Sequence, residues 1–438
     1  MTKNMSKESG LSNYIERDRE LSIKSFSKTI RVAILSSFTV NGIEEIFRVK
    51  CAENNIGCTT YLAPYNQYHQ EILNPESNLF EFKPSITFLI LDTHSILGNI
   101  FYSPYSISTS ERKDFISKKI EEIDSLITAF TNKSDSKLII TNFNIPTYSP
   151  YGIIENKMEY GFHEMVRDLN AHLIKIVKGR PSVYVYDFDR FVNFHGFENI
   201  FDYRQYYFGD IKISLKFLPF FVSDLMSYVK AITGISKKCI VLDLDNTLWG
   251  GIVGEDGFDG IKLGPSSPGN SYVDFQRHIL SLWNRGILLA INSKNNFDDA
   301  IQIIRNHPSM ILREDNFASV RINWKDKVTN MKEIAQELNL GLDSLVYFDD
   351  DPVNRASVNM YLPEVLTVDL PKDPSQFVSI LTQINDFNVL KITEEDLGRG
   401  QMYLQQKKRS EVAKNTTNLE EFLKQLDTKI KKIGRAHV

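Results

Sequence analysis

The feature that most constrains this chain is a short apolar run that stops on two aspartates one residue apart. Ile240, Val241 and Leu242 have the unbroken apolar character of a parallel strand buried on both faces. Because side chains alternate along a strand, Asp243 and Asp245 are expected on the same side, about 6–7 Å apart. Carboxylates at that range repel each other unless a cation lies between them or one is protonated. The pattern therefore predicts a divalent metal at the carboxyl end of this strand.

Three later segments carry polar groups in an order that suits phosphoryl transfer. A second apolar strand, 286–295, ends near Ser293, and an amphipathic helix with lysines at its start is predicted over 322–341. A third strand, 344–352, ends in three consecutive aspartates before a proline. Taken alone, these aspartates also fit a helix-capping turn. Together the segments supply a carboxylate nucleophile, a metal site, a lysine and a hydroxyl, which predicts an enzyme.

In this order the motifs resemble the haloacid dehalogenase (HAD) phosphatase superfamily. The matching positions of its DxDxT, Ser/Thr, Lys and acidic motifs are Asp243, Asp245, Thr247, Ser293, Lys327, Asp349 and Asp350. Longer strings are similar to the FkbH-like branch, subfamily IIIC. They are LDLDNTLWGGIVGEDG (242–257), SKNN (293–296), NWKDK (323–327) and LGLDSLVYFDDDP (340–352).

The resemblance implies a role for each acidic residue and for one lysine. Asp243 would be the nucleophile that forms an aspartyl-phosphate, and Asp245 the general acid and base. Mg²⁺ would be held by Asp243, the backbone carbonyl of Asp245, Asp349 and Asp350. Lys327 would pair with the phosphoryl group and with Asp243. Lys325 is its rival, but the family spacing Trp-x-x-Lys, counted from Trp324, selects Lys327.

The same resemblance implies a set of phosphate- and substrate-binding positions. They are Thr247, Ser293, Lys294, Asn295, Gly250 and Gly251. The loop from Trp249 to Gly257 contains four glycines, which favours a small flap that closes over the site. No large cap domain is inserted before the strand at Ile287, so we expect an open site that admits a bulky substrate.

FkbH-like proteins take the glyceryl group of 1,3-bisphosphoglycerate, release its phosphate and load the acyl unit on an acyl carrier protein. The resemblance therefore implies that carrier, with its phosphopantetheine thiol, and a small phosphorylated substrate as partners. Many members have a cysteine before the serine of the second motif, where this chain has Asn292. Cys239 is expected in the core, about 13 Å below Asp243 along the strand. Either the carrier thiol attacks directly, or the protein acts on another small phosphate, as in surface-glycan or secondary-metabolite synthesis. A non-catalytic docking protein is a further alternative.

The composition narrows the class of protein. A chain of 438 residues suggests two or three domains, and 42% hydrophobic residues can supply real cores. The net charge of −4 gives no reason to expect nucleic acid as a partner. No apolar stretch is as long as a membrane span, and the start lacks a signal-peptide core, so we expect a cytoplasmic protein without a membrane partner. The three cysteines, Cys51, Cys58 and Cys239, have no metal-ligand spacing.

The region before the phosphatase motifs is predicted to be a separate α/β domain. Its candidate strands are 31–38, 86–92, 137–143 and 182–189, separated by helical stretches. By resemblance this part is an SGNH-hydrolase-like domain. Such a hydrolase needs a serine after the first strand, for which Ser36 and Ser37 are available, and an Asp-x-x-His motif. No histidine follows Asp187 or Asp189 at three residues, and His195 is too distant, so a recognition or carrier-docking module is favoured over an esterase.

The predicted organisation is thus two doubly wound, Rossmann-like parallel-sheet domains, SGNH-like and then HAD-like, with a helical C-terminal tail. A polar extension spans 1–30, the SGNH-like domain 31–232 and the HAD-like domain 236–372. A helical segment, 373–432, would lead to a missing acetyltransferase-like (GNAT) domain, and 433–438 is interpreted as an artefactual tail.

Overall fold

The computed structural model describes residues 10–21, 25, 26, 28–400, 402, 403 and 405. The chain divides into two compact units, Met1–Val229 and Lys230–Val438. Each unit contains a five-stranded sheet whose paired strands are all parallel. The prediction of an α/β protein with two Rossmann-like parallel sheets is confirmed.

The sheet of the first unit has the strand order β2-β1-β3-β4-β5. Its strands are β1 (Lys28–Ser36), β2 (Ile56–Leu62), β3 (Ile86–Ile90), β4 (Lys137–Thr141) and β5 (Val183–Tyr186). The helices are α1 (Leu11–Glu20), α2 (Ile43–Glu53), α3 (Tyr68–Leu73), α4 (Asn78–Phe82), α5 (Thr93–Leu97), α6 (Asn99–Tyr102), α7 (Thr109–Thr131), α8 (Phe162–Lys178), α9 (Phe188–His195), α10 (Phe197–Ile200), α11 (Tyr203–Gly209) and α12 (Leu218–Thr233). Because β1 pairs with β2 on one side and β3 on the other, the chain reverses direction across the sheet at the β1/β3 boundary.

Two parts of this unit differ from the sequence prediction. Strand β2 was not expected, because only Ile56 and Gly57 are fully buried in this edge strand and it lacks a continuous apolar run. The extension predicted as loosely packed over 1–30 contains α1, whose Tyr14 is buried. Asp18 of α1 accepts two bonds from the guanidinium of Arg48, at 2.8 and 2.7 Å. One buried ring and one bidentate ion pair therefore hold a helix that polar composition alone did not reveal.

The sheet of the second unit has the order β10-β9-β6-β7-β8. Its strands are β6 (Cys239–Leu242), β7 (Leu288–Ser293), β8 (Phe317–Ile322), β9 (Leu345–Asp349) and β10 (Leu366–Asp369). The helices are α13 (Val253–Gly260), α14 (Gly269–Asn284), α15 (Phe297–Asn306), α16 (Lys327–Glu337), α17 (Pro352–Tyr361) and α18 (Phe377–Thr382). Because β6 is central, with β9 and β7 on its two sides, the three predicted motif strands end side by side.

The core of this unit lies on both faces of the sheet, as an unbroken apolar strand requires. Ile240 and Leu242 face one cluster, which includes Trp249 and Phe275. Cys239 and Val241 face the other cluster, together with buried residues of α16 and α17. The expectation that Cys239 is a core residue is confirmed, and its burial raises the pKa of its thiol.

Two further predictions differ from the structure here. The glycine-rich segment after the first motif is partly helical, since α13 occupies its second half with an interruption at Gly257, where φ is +67°. The predicted helical segment, 373–432, starts with a 3₁₀ turn at Pro374–Gln376 followed by the short helix α18. Residues 406–438, which include the end of that segment and the tail 433–438, lie outside the described residues.

Candidate active site

Asp243 lies just past the end of β6, next to the strand that carries the acidic pair. Its backbone N–H donates to the carbonyl of Phe348 in β9 at 2.9 Å. Beyond it the chain turns sharply, because the amide of Leu248 donates to the carbonyl of Leu244 at 2.8 Å and Asn246 adopts a φ of +53°. This turn holds the carboxylates of Asp243 and Asp245 at the carboxyl edge of the sheet.

The ammonium of Lys327 connects the ends of β6, β9 and β7. Its Nζ lies 2.7 Å from Asp243 Oδ1 and 2.9 Å from Asp349 Oδ2. It also donates to the carbonyl of Asn292 at 2.6 Å, so all three of its N–H donors have an acceptor. Lys327 is 3% exposed, and burial disfavours its charge, but the two carboxylates outweigh burial and raise its pKa.

Lys325, the alternative candidate for the role of Lys327, lies on the surface. Lys325 is exposed and its Nζ pairs with Glu333 at 2.8 Å. Asp326 caps α16 by accepting the amide of Thr329 at 2.8 Å, which makes Lys327 the first helical residue. The start of α16 therefore turns Lys327 into the site and leaves Lys325 on the surface.

Three carboxylates form a cluster with the geometry of a cation site. Asp243, Asp349 and Asp350 each offer one oxygen, and these oxygens lie within 4.8 Å of one another. Burial and Asp349 raise the pKa of Asp243 even though Lys327 opposes the shift. Burial, Asp243 and Asp349 raise the pKa of Asp350 to about 6. One ammonium does not balance three carboxylates, and an all-oxygen donor set suits Mg²⁺.

Asp349 is oriented by residues that the sequence reasoning missed. The hydroxyl of Tyr347, buried two residues earlier on β9, donates to Asp349 Oδ2. The amide of Asp351 donates to Asp349 Oδ1 at 2.9 Å, and Asn354 Nδ2 lies 3.3 Å from the same oxygen. Tyr347 could have been noticed, since residues two apart on a strand share a face. The alternative interpretation of the three aspartates as a helix cap applies only to Asp351. Its Oδ1 accepts the amide of Val353 and caps α17.

Asp245 is held apart from the carboxylate cluster by three donors. Trp249 Nε1 donates to its Oδ1 at 2.9 Å, and the amide of Val253 donates to the same oxygen at 3.2 Å. Asn295 Nδ2 donates to Oδ2 at 2.9 Å. Three donors fix the orientation of this carboxylate. Trp249 is fully buried, and as an apolar residue in the sequence it gave no indication of this contact.

The last two residues of β7, Asn292 and Ser293, are both polar and face opposite sides of the sheet. Ser293 is buried and accepts from Asn295 Nδ2 at 3.3 Å, and the same nitrogen donates to Asp245, so Ser293 belongs to the site. Asn292 is fully buried, donates to the carbonyl of Lys327 at 2.9 Å and accepts from Asn330 at 3.1 Å. Asn292, the residue before the serine of the second motif, therefore contacts α16.

The remaining predicted phosphate-binding residues differ in their placement. Lys294 is exposed on the turn after β7. Gly251 has a φ of +97° and its amide donates to Asn246 at 2.9 Å, whereas Gly250 exchanges two backbone bonds with Lys262 at 3.1 and 2.7 Å. Thr247 is fully buried, and its hydroxyl has no hydrogen-bond partner among the described residues. An unsatisfied hydroxyl beside Asp243 and Asp245 fits a ligand oxygen.

Comparison with known proteins gives one family match. Residues 31–230 match the family model of the FkbH N-terminal domain. This agrees with the family expected from the motifs of the second unit.

The chain is also similar to a solved structure along most of its length. That structure is the N-terminal part of the protein BF1531 from Bacteroides fragilis, which contains a phosphatase domain and is complexed with Mg. The two are 28% identical, with a TM-score of 0.79, over 86% of this chain and 99% of that chain. A 5-methylthioribose transporter solute-binding protein from Thermotoga lettingae aligns with 13% identity over 91% of this chain and 98% of that chain, but its TM-score of 0.15 indicates no shared fold.

Two further findings concern similarity to curated proteins and helices that could cross a membrane. None of the curated proteins compared with it gives a match. Within the part of the chain that the structure describes, no helix has both the length and the apolar character needed to cross a membrane.

The FkbH-like N-terminal unit uses its candidate hydrolase residues in other contacts. Ser37 donates to Asp92 Oδ2 at 2.9 Å and is 1% exposed. Asn142 Nδ2 donates to Asp187 at 2.7 Å. The ring of His195 packs against those of Phe191 and Phe217, with centroids 4.6 and 5.5 Å away. These contacts account for the hydroxyl, amide and imidazole without a catalytic role.

Proposed function

We propose that this protein is a Mg²⁺-dependent phosphatase of the HAD type that works through an aspartyl-phosphate on Asp243. The observation that carries the proposal is the contact of one buried ammonium, Lys327, with both Asp243 and Asp349, beside Asp350. The phosphatase domain of the similar B. fragilis structure, complexed with Mg, supports it.

Each residue of the site has a separate role in phosphoryl transfer. A carboxylate oxygen of Asp243 attacks phosphorus, and the bond from phosphorus to the leaving oxygen breaks. Lys327 neutralises charge on the transferred group, and Ser293 is available to donate to one of its oxygens. Asp243, Asp349 and Asp350 would hold Mg²⁺, which supplies further charge stabilisation when bound. Water then attacks the phosphorus of the aspartyl-phosphate and releases phosphate.

Asp245 would move the protons in both steps. Its three donors hold the carboxyl group in one orientation. As the acid it would protonate the leaving oxygen in the first step, and as the resulting base it would take a proton from the attacking water in the second.

For the substrate we propose 1,3-bisphosphoglycerate, with an acyl carrier protein as acceptor. The carrier thiol would attack the acyl carbon, forming the carbon–sulfur bond while the bond to the acyl phosphate breaks and phosphate leaves. The 3-phosphate ester would be hydrolysed through Asp243. Burial of Asn292 supports direct attack by the carrier, since its side chain bonds to α16 and is not available to carry an acyl group. Hydrolysis of another small phosphate by the same residues is the alternative.

Intact-protein mass spectrometry tests the proposal. A phosphopantetheinylated acyl carrier protein is mixed with this protein, Mg²⁺ and 1,3-bisphosphoglycerate generated in place. A glyceryl adduct that is absent with Asp243→Asn, and retained with Asp274→Asn at an exposed position on α14, would establish transfer. Phosphate release without an adduct would leave a phosphatase without acyl transfer. A glyceryl adduct that still forms with Asp243→Asn would refute the assigned nucleophile, whereas a phosphoglyceryl adduct with that variant is expected, because thiol attack on the acyl phosphate does not use Asp243.

A further inference from the structure

A second site lies within the Met1–Val229 unit, in a pocket of about 370 Å³. Its lining comes from segments that follow β3, β4 and β5, including His94, Asn144, Tyr148 and Val192. Parallel α/β sheets bind their ligands at the carboxyl ends of their strands, close to where the strand order reverses. The volume is within the range of about 300–1,000 Å³ that small-molecule sites occupy.

The polar floor of the pocket is a buried ion pair that is satisfied by the protein itself. Lys212 Nζ lies 2.8 Å from Asp92 Oδ2, 3.0 Å from Ser95 Oγ and 3.5 Å from Asp210 Oδ1. Asp92 also accepts the hydroxyl of Ser37 and the amides of His94 and Ser95. The three donors of Lys212 all have acceptors, so the floor holds no spare positive charge for an anionic ligand.

His94 adds a polar group without adding charge. Its ring makes edge-to-face contacts with Phe101 and Tyr102, with centroids 5.0 and 5.1 Å away. Burial and the nearby Lys212 lower the pKa of His94, against the opposing effect of Asp92 and Asp210. A neutral imidazole can donate or accept one hydrogen bond from the pocket.

The walls are aromatic and aliphatic. The apolar lining residues are Phe101, Phe162, Phe188, Val192, Phe197 and Phe201. Tyr102, Tyr148, Tyr203 and Tyr207 also line the pocket and are exposed, so they provide a rim that is apolar on its ring faces and polar at its hydroxyls. An apolar interior with a few polar groups is the composition of a site for an apolar ligand with one polar end.

We propose that this pocket binds an uncharged molecule with an extended apolar chain and one polar end, such as a medium-chain alcohol or acyl ester. The apolar chain would lie among the phenylalanines, and the polar end would meet His94 or the tyrosine hydroxyls. A free carboxylate is disfavoured because Lys212 is already paired. A sugar is disfavoured because its many hydroxyls would meet mainly apolar walls, and Asp92 and Thr93 at the buried end are already bonded to protein atoms. A volume of about 370 Å³ lies near the lower end of the range for small-molecule sites, which favours a medium-length chain.

The test uses the full-length protein and the neutral fluorescent dye Nile red as the reporter. Saturable binding of one dye per chain is expected, with displacement by 1-decanol or methyl decanoate at least tenfold more effective than displacement by decanoate. Thr147→Trp places a large ring at an exposed position in the lining and should weaken dye binding at least tenfold. Ser110→Trp, at an exposed position on α7 outside the lining, is the matched control and should leave binding unchanged.

Each outcome of the Nile red experiment either supports or contradicts the proposal. Circular dichroism on heating establishes that both variants fold. Absence of saturable binding, or equal binding by Thr147→Trp and Ser110→Trp, would overturn the proposal. Equal displacement by decanoate and 1-decanol would overturn the assignment of an uncharged ligand, and this comparison needs only the unaltered protein. Because the pocket lies outside the phosphatase unit, none of these results depends on the proposed phosphatase activity.

Discussion

The indole of Trp249 donates a 2.9 Å hydrogen bond to Asp245 Oδ1, so a fully buried aromatic residue positions a carboxylate of the active site. The amide of Val253 shares that oxygen, and Asn295 holds the other. The Asp245 carboxylate, for which we propose a role in proton transfer, is thus fixed from two sides, by the segment after β6 and by the turn after β7.

Replacing Trp249 with phenylalanine tests this contact. An aromatic ring and most of its packing are retained, but the N–H donor is lost. A hydrogen bond to a charged group contributes about 1.5–3 kcal/mol, which corresponds to a fall in kcat of about 10- to 100-fold. We expect KM for p-nitrophenyl phosphate to change little, and kcat is measured over a range of pH.

Trp283→Phe is the control for that experiment. Trp283 is half-buried on α14, outside the contacts of Asp245. It should match the unaltered enzyme in kcat and in its pH profile. A Trp249→Phe enzyme with unaltered kcat and pH dependence would assign the indole to packing alone.

Replacing Lys327 with methionine should destabilise the second unit strongly. The change leaves Asp243 and Asp349 buried without their cation, which costs about 3–5 kcal/mol when one partner of a buried pair is removed. Urea unfolding in EDTA measures the loss. The exposed pair of Lys325 with Glu333 contributes at most about 1 kcal/mol, so Lys325→Met is the matched control. Similar losses in the two variants would contradict the placement of Lys327.

Mg²⁺ affinity should rise with pH through about 6. Burial and two neighbouring carboxylates raise the pKa of Asp350 to about 6, so this group is protonated below that pH and must release its proton to bind a cation. One pH unit below the pKa, affinity should be about tenfold weaker, and it should level off above the pKa. Isothermal titration calorimetry at several pH values measures this. Asp350→Asn should bind more weakly, with no such rise; a rise that persists would assign it to another group.

The pair of Asp92 and Lys212 should make the first unit sensitive to acid. Burial alone would raise the pKa of Asp92, but Lys212 and the hydroxyls of Ser95 and Ser37 outweigh it and lower that pKa. Because the pKa of Asp92 is lower in the folded state than in the unfolded state, its carboxylate stabilises the folded protein at pH values above the unfolded pKa of about 3.9. This stabilisation is lost as the pH falls below about 3.9 toward the pKa of the folded state.

Hydrogen exchange of the β3 amides follows this unit separately from the other. Protection should fall below about pH 4 in the unaltered protein. In the double variant Asp92→Asn, Lys212→Met, this loss of protection below about pH 4 should be absent. Lys212→Met alone leaves a buried unpaired carboxylate, which should lower the stability of the unit by about 3–5 kcal/mol near neutral pH. Identical acid sensitivity in the double variant and the unaltered protein would rule out Asp92 as the source.

The chemical groups of the phosphatase site could be predicted from the sequence because they occur at the ends of apolar runs. Parallel strands end at one edge of a sheet, so Asp243, Ser293 and Asp349 had to be near one another once three strands were recognised. Lys327 was selected over Lys325 by the family spacing, and the cap at Asp326 gives the structural reason for that choice. Local periodicity and motif order therefore determined the fold class and the principal residues of this site.

Only the tertiary structure decided which neighbours orient those groups. Trp249, Tyr347 and Asn354 lie within five residues of the carboxylates that they contact, but as ordinary core or helix residues they carry no sequence signal of that role. Asn295 contacts Asp245 only because separate segments pack together. The edge strand β2 was missed because its partial burial leaves no continuous apolar run. The pocket of the first unit brings together side chains from Asp92 to Lys212. Sequence periodicity reports the environment of each residue along its own strand or helix, whereas contacts between distant segments depend on how those elements pack.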